Sequence, residues 1–263
     1  MKMKWQLRAL PAIVALSITS LGWLMTGCLA PKSEKAPTCV ILVLFDISGS
    51  TAIPEMRHRY FNDFQKILAE VRGGEILIGD VITDNTLATL SYPINEVFPT
   101  YNPLVDNPLT FKRKMKQAVE TAKKKAKKLI LEHPPASRTD LLNAFQAADK
   151  VFNGERCKNA SHKILVVFSD MIEQSDRYDF TGQRLTEKRI QEIIDTLKKQ
   201  NQLPNLQGVK VWVAGATAAI KGGLSPQKIY EIENFWLRYF QACGADLTKE
   251  RYSTTLINFE LPK

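Results

Sequence analysis

Histidine is nearly missing from this chain: His58, His133 and His162 are the only ones in 263 residues. His58 falls opposite the apolar stripe of a helical segment, and His133 precedes Pro134-Pro135. No Ser-His-Asp relay can be argued from them. A Gly-x-Ser-x-Gly nucleophile turn is absent, and so is a Gly-x-x-x-x-Gly-Lys phosphate cradle. Cysteine is sparse, at Cys28, Cys39, Cys157 and Cys243, and no internal repeat occurs. What is present fits one globular domain with a targeting segment: 44% of residues are hydrophobic and 24% charged, which argues against disorder.

The first 27 residues contain no acidic residue. Lys2, Lys4 and Arg8 give a basic start, Ala9 to Met25 an apolar run of 17 residues broken early by Pro11, and Thr26-Gly27 a small-residue exit before Cys28. That order is the one of a secretory signal, and the run is short for a membrane span, which needs about 20 apolar residues. Leu24-Met25-Thr26-Gly27-Cys28 resembles a bacterial lipobox, with Met25 where that family prefers leucine. The resemblance implies cleavage before Cys28 and acylation of its sulfur, with multiple chains giving a stable anchor. It places the protein in the cell envelope, facing periplasm or exterior. Loss of Lys2, Lys4 and Arg8 would take the net charge from +9 to +6. Such a mild excess suits an anionic envelope surface and does not demand nucleic acid. Residues 28–38 read as a polar tether with two prolines.

From residue 39 onward strands alternate with helices. Cys39–Phe45 and Lys163–Ser169 are continuous apolar runs suited to strands buried on both faces, and Glu75–Ile82 and Val209–Ala214 are further strands. Leu87–Val97 reads as an antiparallel edge strand, where Pro93 is tolerated, and Ser253–Phe259 as the last strand. Helical spacing covers the segment starting near Pro54, then Phe111–Leu131, Thr139–Phe152, Glu187–Gln200 and Pro226–Cys243. The pattern predicts an α/β fold for residues 39–263: a doubly wound, Rossmann-like sheet of about six strands, mostly parallel with one antiparallel edge, helices on both faces. The helix over 112–128 carries nine lysines and arginines. It reads either as a solvated face with snorkelling lysines or as a pad for anionic lipid.

The two most apolar strands each end in an aspartate, Asp46 and Asp170. Ligands of doubly wound sheets bind beyond the carboxyl ends of strands, where the strand order reverses; in the order 3-2-1-4-5-6, strands 1 and 4 flank that point. Hard carboxylate and hydroxyl oxygens gathered there suit Mg²⁺, or Mn²⁺ or Ca²⁺, and not zinc. Read singly, Ser50, Thr51 and Thr139 could equally be helix caps.

Asp46-x-Ser48-x-Ser50, followed by Thr139 ahead of a helix and Asp170 at the end of the next buried strand, resembles the metal-ion-dependent adhesion site of von Willebrand factor A domains. The likeness runs over about residues 39–260. It implies that Ser48, Ser50 and Thr139 bind the ion directly and that Asp46 and Asp170 act mainly through waters. It further implies an open coordination place that a partner protein's carboxylate completes. Two positions depart from the family pattern: Met171 follows the last aspartate and Arg138 precedes the threonine, where glycine is frequent. Loops Thr51–Arg57, Ser137–Leu141 and Met171–Phe180 would form the contact surface, with Glu173, Asp176, Arg177 and Tyr178 on its rim. A Cys39–Cys157 disulfide is the favoured pairing, three buried thiols the alternative. Two rival functions are a metal-dependent phosphohydrolase using Asp46 and a metal-free scaffold. The first resembles haloacid dehalogenases in Asp46 alone, since Ser48 stands where that family needs a second aspartate.

Overall fold

The computed structural model describes residues 37–216 and 223–262. The signal, Cys28 and the tether up to residue 36 lie outside the described residues. β1 (Cys39–Asp46) is followed by α1 (Pro54–Glu70), β2 (Glu75–Ile82), a one-turn α2 (Thr86–Thr89) and β3 (Ile94–Val97). Then come α3 (Pro108–Lys127), continued by a π turn at Lys128–Glu132, and α4 (Leu141–Asn153), β4 (His162–Phe168), α5 (Glu187–Lys199), β5 (Val209–Ala214), α6 (Pro226–Ala242) and β6 (Tyr252–Ser253). The strands form one sheet in the order β3-β2-β1-β4-β5-β6, parallel throughout except for the β2–β3 pair. This is the doubly wound α/β fold, with its order reversing between β1 and β4.

β1 shows why the sheet has helices on both sides. Its residues alternate between two cores. Val40, Leu42 and Leu44 pack with α4, α5 and α6, while Cys39, Ile41, Val43 and Phe45 pack with α1 and α3. All eight β1 residues are buried. Phe45 and Phe168, opposite each other in the β1–β4 register, stack at 5.2 Å just below the strand ends. Among the described residues no helix is long and apolar enough to cross a membrane.

Both edge strands are shorter than their sequence suggests. Thr86–Thr89 winds into a helical turn instead of extending, held by the Thr86 hydroxyl donating to the carbonyls of Thr83 (3.0 Å) and Asp140 (3.1 Å). The Asp80 carboxylate then accepts from the N–H groups of Ser91 and Tyr92, both at 2.6 Å, and only Ile94–Val97 is left to pair with β2. At the other edge Tyr252–Ser253 pairs with β5, but the chain then leaves the ladder. Leu256 N–H donates to the Asp63 carboxylate on α1 (2.9 Å), and Leu256, Phe259 and Leu261 close the α1 side of the core. α4 begins at Leu141, two residues later than its pattern suggests, because Asp140 caps it by accepting from Asn143 N–H.

The Cys39–Cys157 disulfide is not formed: Cys39, Cys157 and Cys243 are free and buried. Cys39 belongs to the core on the α1 face and Cys157 to the core on the α4 face, so the sheet lies between them.

Candidate metal centre

Asp46 and Asp170 stand at the carboxyl ends of the central pair β1 and β4, and both are buried, at 0% and 2% exposure. The Asp46 carboxylate accepts from Ser48 N–H on one oxygen (2.9 Å) and from the Ser169 hydroxyl on the other (2.6 Å). Ser48 and Ser50 hydroxyls lie 3.1 Å apart. The Ser50 hydroxyl lies near the Asp170 carboxylate and favours its charged form, and Asp170 Oδ1 accepts from Ile172 N–H at 3.1 Å. Four of the five residues singled out by the sequence, Asp46, Ser48, Ser50 and Asp170, therefore lie together at this end of the sheet.

Thr139 reaches the same end of the sheet through its backbone. Ala136 N–H donates to the Ile47 carbonyl (3.0 Å), Asp140 N–H to the Thr83 carbonyl (3.1 Å), and Gln174 N–H to the Thr139 carbonyl (2.9 Å). The segment 136–140 thus bridges the ends of β1 and β2 to the loop after Asp170. Thr139 itself is 1% exposed.

Burial is the main force on both carboxylates, and it raises their pKa. Asp170 is pushed up to about 7, with the charge of Asp46 adding to the effect and the Ser50 and Ile172 bonds opposing it. Asp46 moves in the same direction by burial, opposed by its bonds to Ser169 and Ser48 and by the charge of Arg57. Among the described residues neither carboxylate has a Lys or Arg ion pair. Arg57 is nearest in effect, yet it gives its donors to the carbonyls of Ile130 (3.2 Å), His133 (2.6 Å) and Ile47 (3.3 Å). Two close, buried and unpaired carboxylates are costly, and either protonation or a cation relieves them. The donor set of two carboxylates and neutral hydroxyls, all hard oxygens, fits Mg²⁺, Mn²⁺ or Ca²⁺. Among the described residues no three His, Cys, Asp or Glu side chains gather as a metal group, so a site here rests on hydroxyls.

Four residues with parts in the cluster carried no sequence signal of those parts. Ser169 bridges the strand ends by bonding Asp46 and accepting from Met171 N–H (2.9 Å). Thr51 donates its hydroxyl to the carbonyls of Asp46 (2.8 Å) and Ser48 (3.0 Å) and so locks the turn that presents the serines. Arg57 ties that turn to the chain after α3. Glu173, expected on the rim, is fully buried instead: its Oε2 accepts from Leu141 N–H (2.8 Å) and Leu142 N–H (3.2 Å) at the start of α4. Burial pushes its pKa up to about 8, with the charge of Asp140 adding to it. Tyr178 is likewise buried, whereas Asp176 and Arg177 are exposed, and Asp176 pairs with Arg138.

The departure at Met171 has a structural answer. Met171 has φ +63°, the left-handed region that a glycine would enter freely, and it is fully buried. Its carbonyl accepts from the Trp236 indole N–H at 2.7 Å, which holds the conformation.

No protein-family profile and no curated protein sequence matches the chain. Among solved structures it is similar to a von Willebrand factor type A protein from Catenulispora acidiphila (12% identity, TM-score 0.40, covering 80% of this chain and 43% of that one). It is also similar to the manganese-loaded TRAP protein of Plasmodium vivax (15% identity, TM-score 0.40, 72% and 64% covered). A third is the vWF domain of the type V pili tip protein Mfa5 from Porphyromonas gingivalis (10% identity, TM-score 0.37, 64% and 52% covered). The chain spans less than two thirds of the length of each of these three structures.

Proposed function

We propose that this protein is a recognition module of the cell envelope, lipid-anchored through Cys28, that captures an acidic group of a partner protein at a divalent metal ion. Asp46, Ser48, Ser50, Thr139 and Asp170 would hold the ion. The observation that carries the reading is the pairing of Asp46 with Asp170: two buried carboxylates, near enough that the charge of one raises the pKa of the other, that among the described residues have no Lys or Arg ion pair. When bound, the ion supplies the positive charge for a carboxylate that neither aspartate can attract. Ser50 is exposed and Ser48 buried, so the cluster opens outward along the Gly49-Ser50 edge. A surface hollow lined by Ser137, Arg138, Gln174, Ser175, Asp176 and Asp179 adjoins the Thr139 segment and offers room for the partner. The reading is one of binding rather than turnover, because both aspartates are committed to hydrogen bonds within the cluster and neither faces an identifiable acid–base partner.

Titration calorimetry with Mg²⁺ and Mn²⁺ tests it. A saturable heat that disappears in Asp46→Ala supports the site, and retention of an envelope protein on immobilised chain in Mg²⁺ but not in EDTA supports the function. Absence of heat, or equal heat in Asp46→Ala, rejects the site. Loss of the chain from the membrane fraction in Cys28→Ala tests the anchor separately.

A further inference from the structure

Large apolar side chains are exposed in a run just before and within the start of α3: Leu104 (91%), Val105 (77%) and Leu109 (76%). They are held outward by an ordered turn. Asn102 carbonyl accepts from Val105 N–H (3.2 Å) and Asp106 N–H (2.8 Å), and the Asp106 carboxylate is turned back onto Asn102 N–H (2.7 Å). Asn107 caps α3 through Leu109 N–H and Thr110 N–H, and Tyr101 packs on Phe111 at 5.1 Å. A turn fixed this firmly presents its leucines and valine at a standing cost in exposed apolar surface, which is the mark of a contact surface.

The charge on the first turns of α3 beside it is positive, against the one carboxylate of the turn, Asp106. Lys112, Arg113 and Lys116 lie three, four and seven residues beyond Leu109, on its flank of the helix, and all are exposed. Among the described residues none of the three has an ion-pair partner. Glu120 on the same flank is a full turn further from the apolar tip.

The place of this patch is fixed by Gly74. Thr38 N–H donates to the Gly74 carbonyl (3.2 Å) and Gly74 N–H to the Phe98 carbonyl (3.0 Å). A β-carbon on Gly74 would meet the hydroxyls of Thr38 and Thr100 at 3.4 and 3.2 Å. Thr38, just ahead of β1, therefore lies beside the chain that leads from Phe98 and Thr100 into the 101–109 loop. Asp46 ends the same β1 strand at the far side, roughly 25 Å away for an eight-residue strand.

We infer that Leu104, Val105 and Leu109, flanked by Lys112, Arg113 and Lys116, are a docking surface for an anionic lipid bilayer, and that it stands the domain on the membrane with the Asp46–Asp170 centre facing away. Apolar side chains enter the acyl boundary while the cations meet lipid phosphates. The exposed aliphatic tip favours lipid over nucleic acid, which would meet it with phosphate. The proposal does not require the metal centre to bind an ion, and the reporter below is insensitive to that.

The test uses the full chain with bimane on Val105→Cys, on Leu109→Cys, or on Arg177→Cys in the loop after β4. Vesicles are equimolar phosphatidylcholine and phosphatidylglycerol with brominated chains, compared with phosphatidylcholine alone. Every labelled chain carries Cys28→Ser, the buried thiols of Cys39, Cys157 and Cys243 are poor competitors for label, and the chain without an introduced cysteine supplies the blank. Labels at 105 and 109 should be quenched by the anionic vesicles alone, the label at 177 by neither. The triple reversal Lys112→Glu, Arg113→Glu, Lys116→Glu should abolish the quenching. Unquenched labels at 105 and 109, equal quenching at 177, or shielding of 105 by a DNA duplex with no lipid quenching would each overturn the proposal.

Discussion

Ser169 donates its hydroxyl to the Asp46 carboxylate across 2.6 Å, joining the ends of two neighbouring parallel strands that are 123 positions apart in sequence. The same oxygen accepts from Met171 N–H, so one side chain serves the carboxylate and the turn beyond it. Ser169→Ala removes both bonds without altering the fold of β4. A hydrogen bond to a charged group contributes about 1.5–3 kcal/mol, and a loss of that size is the expected result in urea unfolding. Mg²⁺ affinity should fall with it. A variant as stable as the parent, with unchanged metal heat, would show that the bridge is idle.

Stability without metal should fall as the solution becomes alkaline. Asp170 moves from its ordinary 3.8 to about 7 and Glu173 from 4.5 to about 8. A raised folded-state value means that the folded protein holds more protons than the unfolded chain between those limits. The stabilisation is complete below about pH 4 and is lost as pH rises through 7 and 8. In EDTA the melting temperature should therefore be several degrees lower at about pH 8.5 than at about pH 5.5. Mg²⁺ competes with the proton, so its stabilising effect should run the opposite way, and Asp170→Asn should flatten both trends.

Met171 separates backbone strain from packing. A left-handed conformation costs a non-glycine residue about 1–2 kcal/mol, while truncating a buried methionine to alanine costs about 2–5 kcal/mol. Met171→Ala loses the packing and keeps the strain. Met171→Gly loses slightly more packing and sheds the strain. Both should destabilise, with glycine the milder by about 1 kcal/mol, contrary to the order of side-chain volume. Denaturation curves of the pair decide this, and alanine being the milder would sink it.

β1 and β4 were legible in sequence because burial on both faces writes itself as an unbroken apolar run, Val40–Phe45 and Ile164–Phe168. The alternation with helices pointed to a doubly wound sheet, whose common strand order puts Asp46 and Asp170 at the reversal point, and the structure has that order. The antiparallel edge was legible, but the extents of the two edge strands were not. Leu87 to Leu90 has the composition of a strand, and what winds it into a turn is Thr86 and a distant Asp80, neither of which is part of the run. The C-terminal residues alternate like a strand but are held by Asp63 on α1. In the candidate centre, Asp46, Ser48 and Ser50 advertise themselves by spacing. Arg57 and Glu173 do not, since their partners lie 73 and 32 positions away and no local pattern records such contacts.

Gly215 faces the base of the cluster. A β-carbon there would lie 2.5 Å from the Tyr60 hydroxyl and 2.7 Å from the Ser169 carbonyl, and the residue has φ +112°. Gly215→Ala should destabilise by about 3 kcal/mol or more, combining overpacking with backbone strain. The Tyr60 hydroxyl is buried and has no hydrogen-bond partner among the described residues. Tyr60→Phe should consequently be neutral or stabilising, since removing an unsatisfied buried hydroxyl leaves a well-packed ring. Added to Gly215→Ala it should restore part of the loss but not all, because the Ser169 carbonyl stays in place. Thermal melts of the two single variants and the double variant measure each share.

Glu173 pins the start of α4, and Thr139 lies two residues before that start. Its Oε2 satisfies the first two N–H groups of the helix, while Oε1 has no partner among the described residues. Glu173→Ala leaves two buried donors empty, at about 1–3 kcal/mol each, and frees the segment that positions Thr139. Removing such an outer support typically weakens metal affinity by roughly 10-fold or more. Glu173→Gln keeps one acceptor oxygen and has the charge of the protonated acid, the form favoured below about pH 8. It should hold parent stability near neutral pH, retain Mg²⁺ affinity, and lose the part of the alkaline destabilisation that belongs to this carboxyl. If glutamine weakens Mg²⁺ binding as much as alanine does, the charge of Glu173 rather than its grip on α4 matters to the centre, and the positioning role assigned to it is wrong.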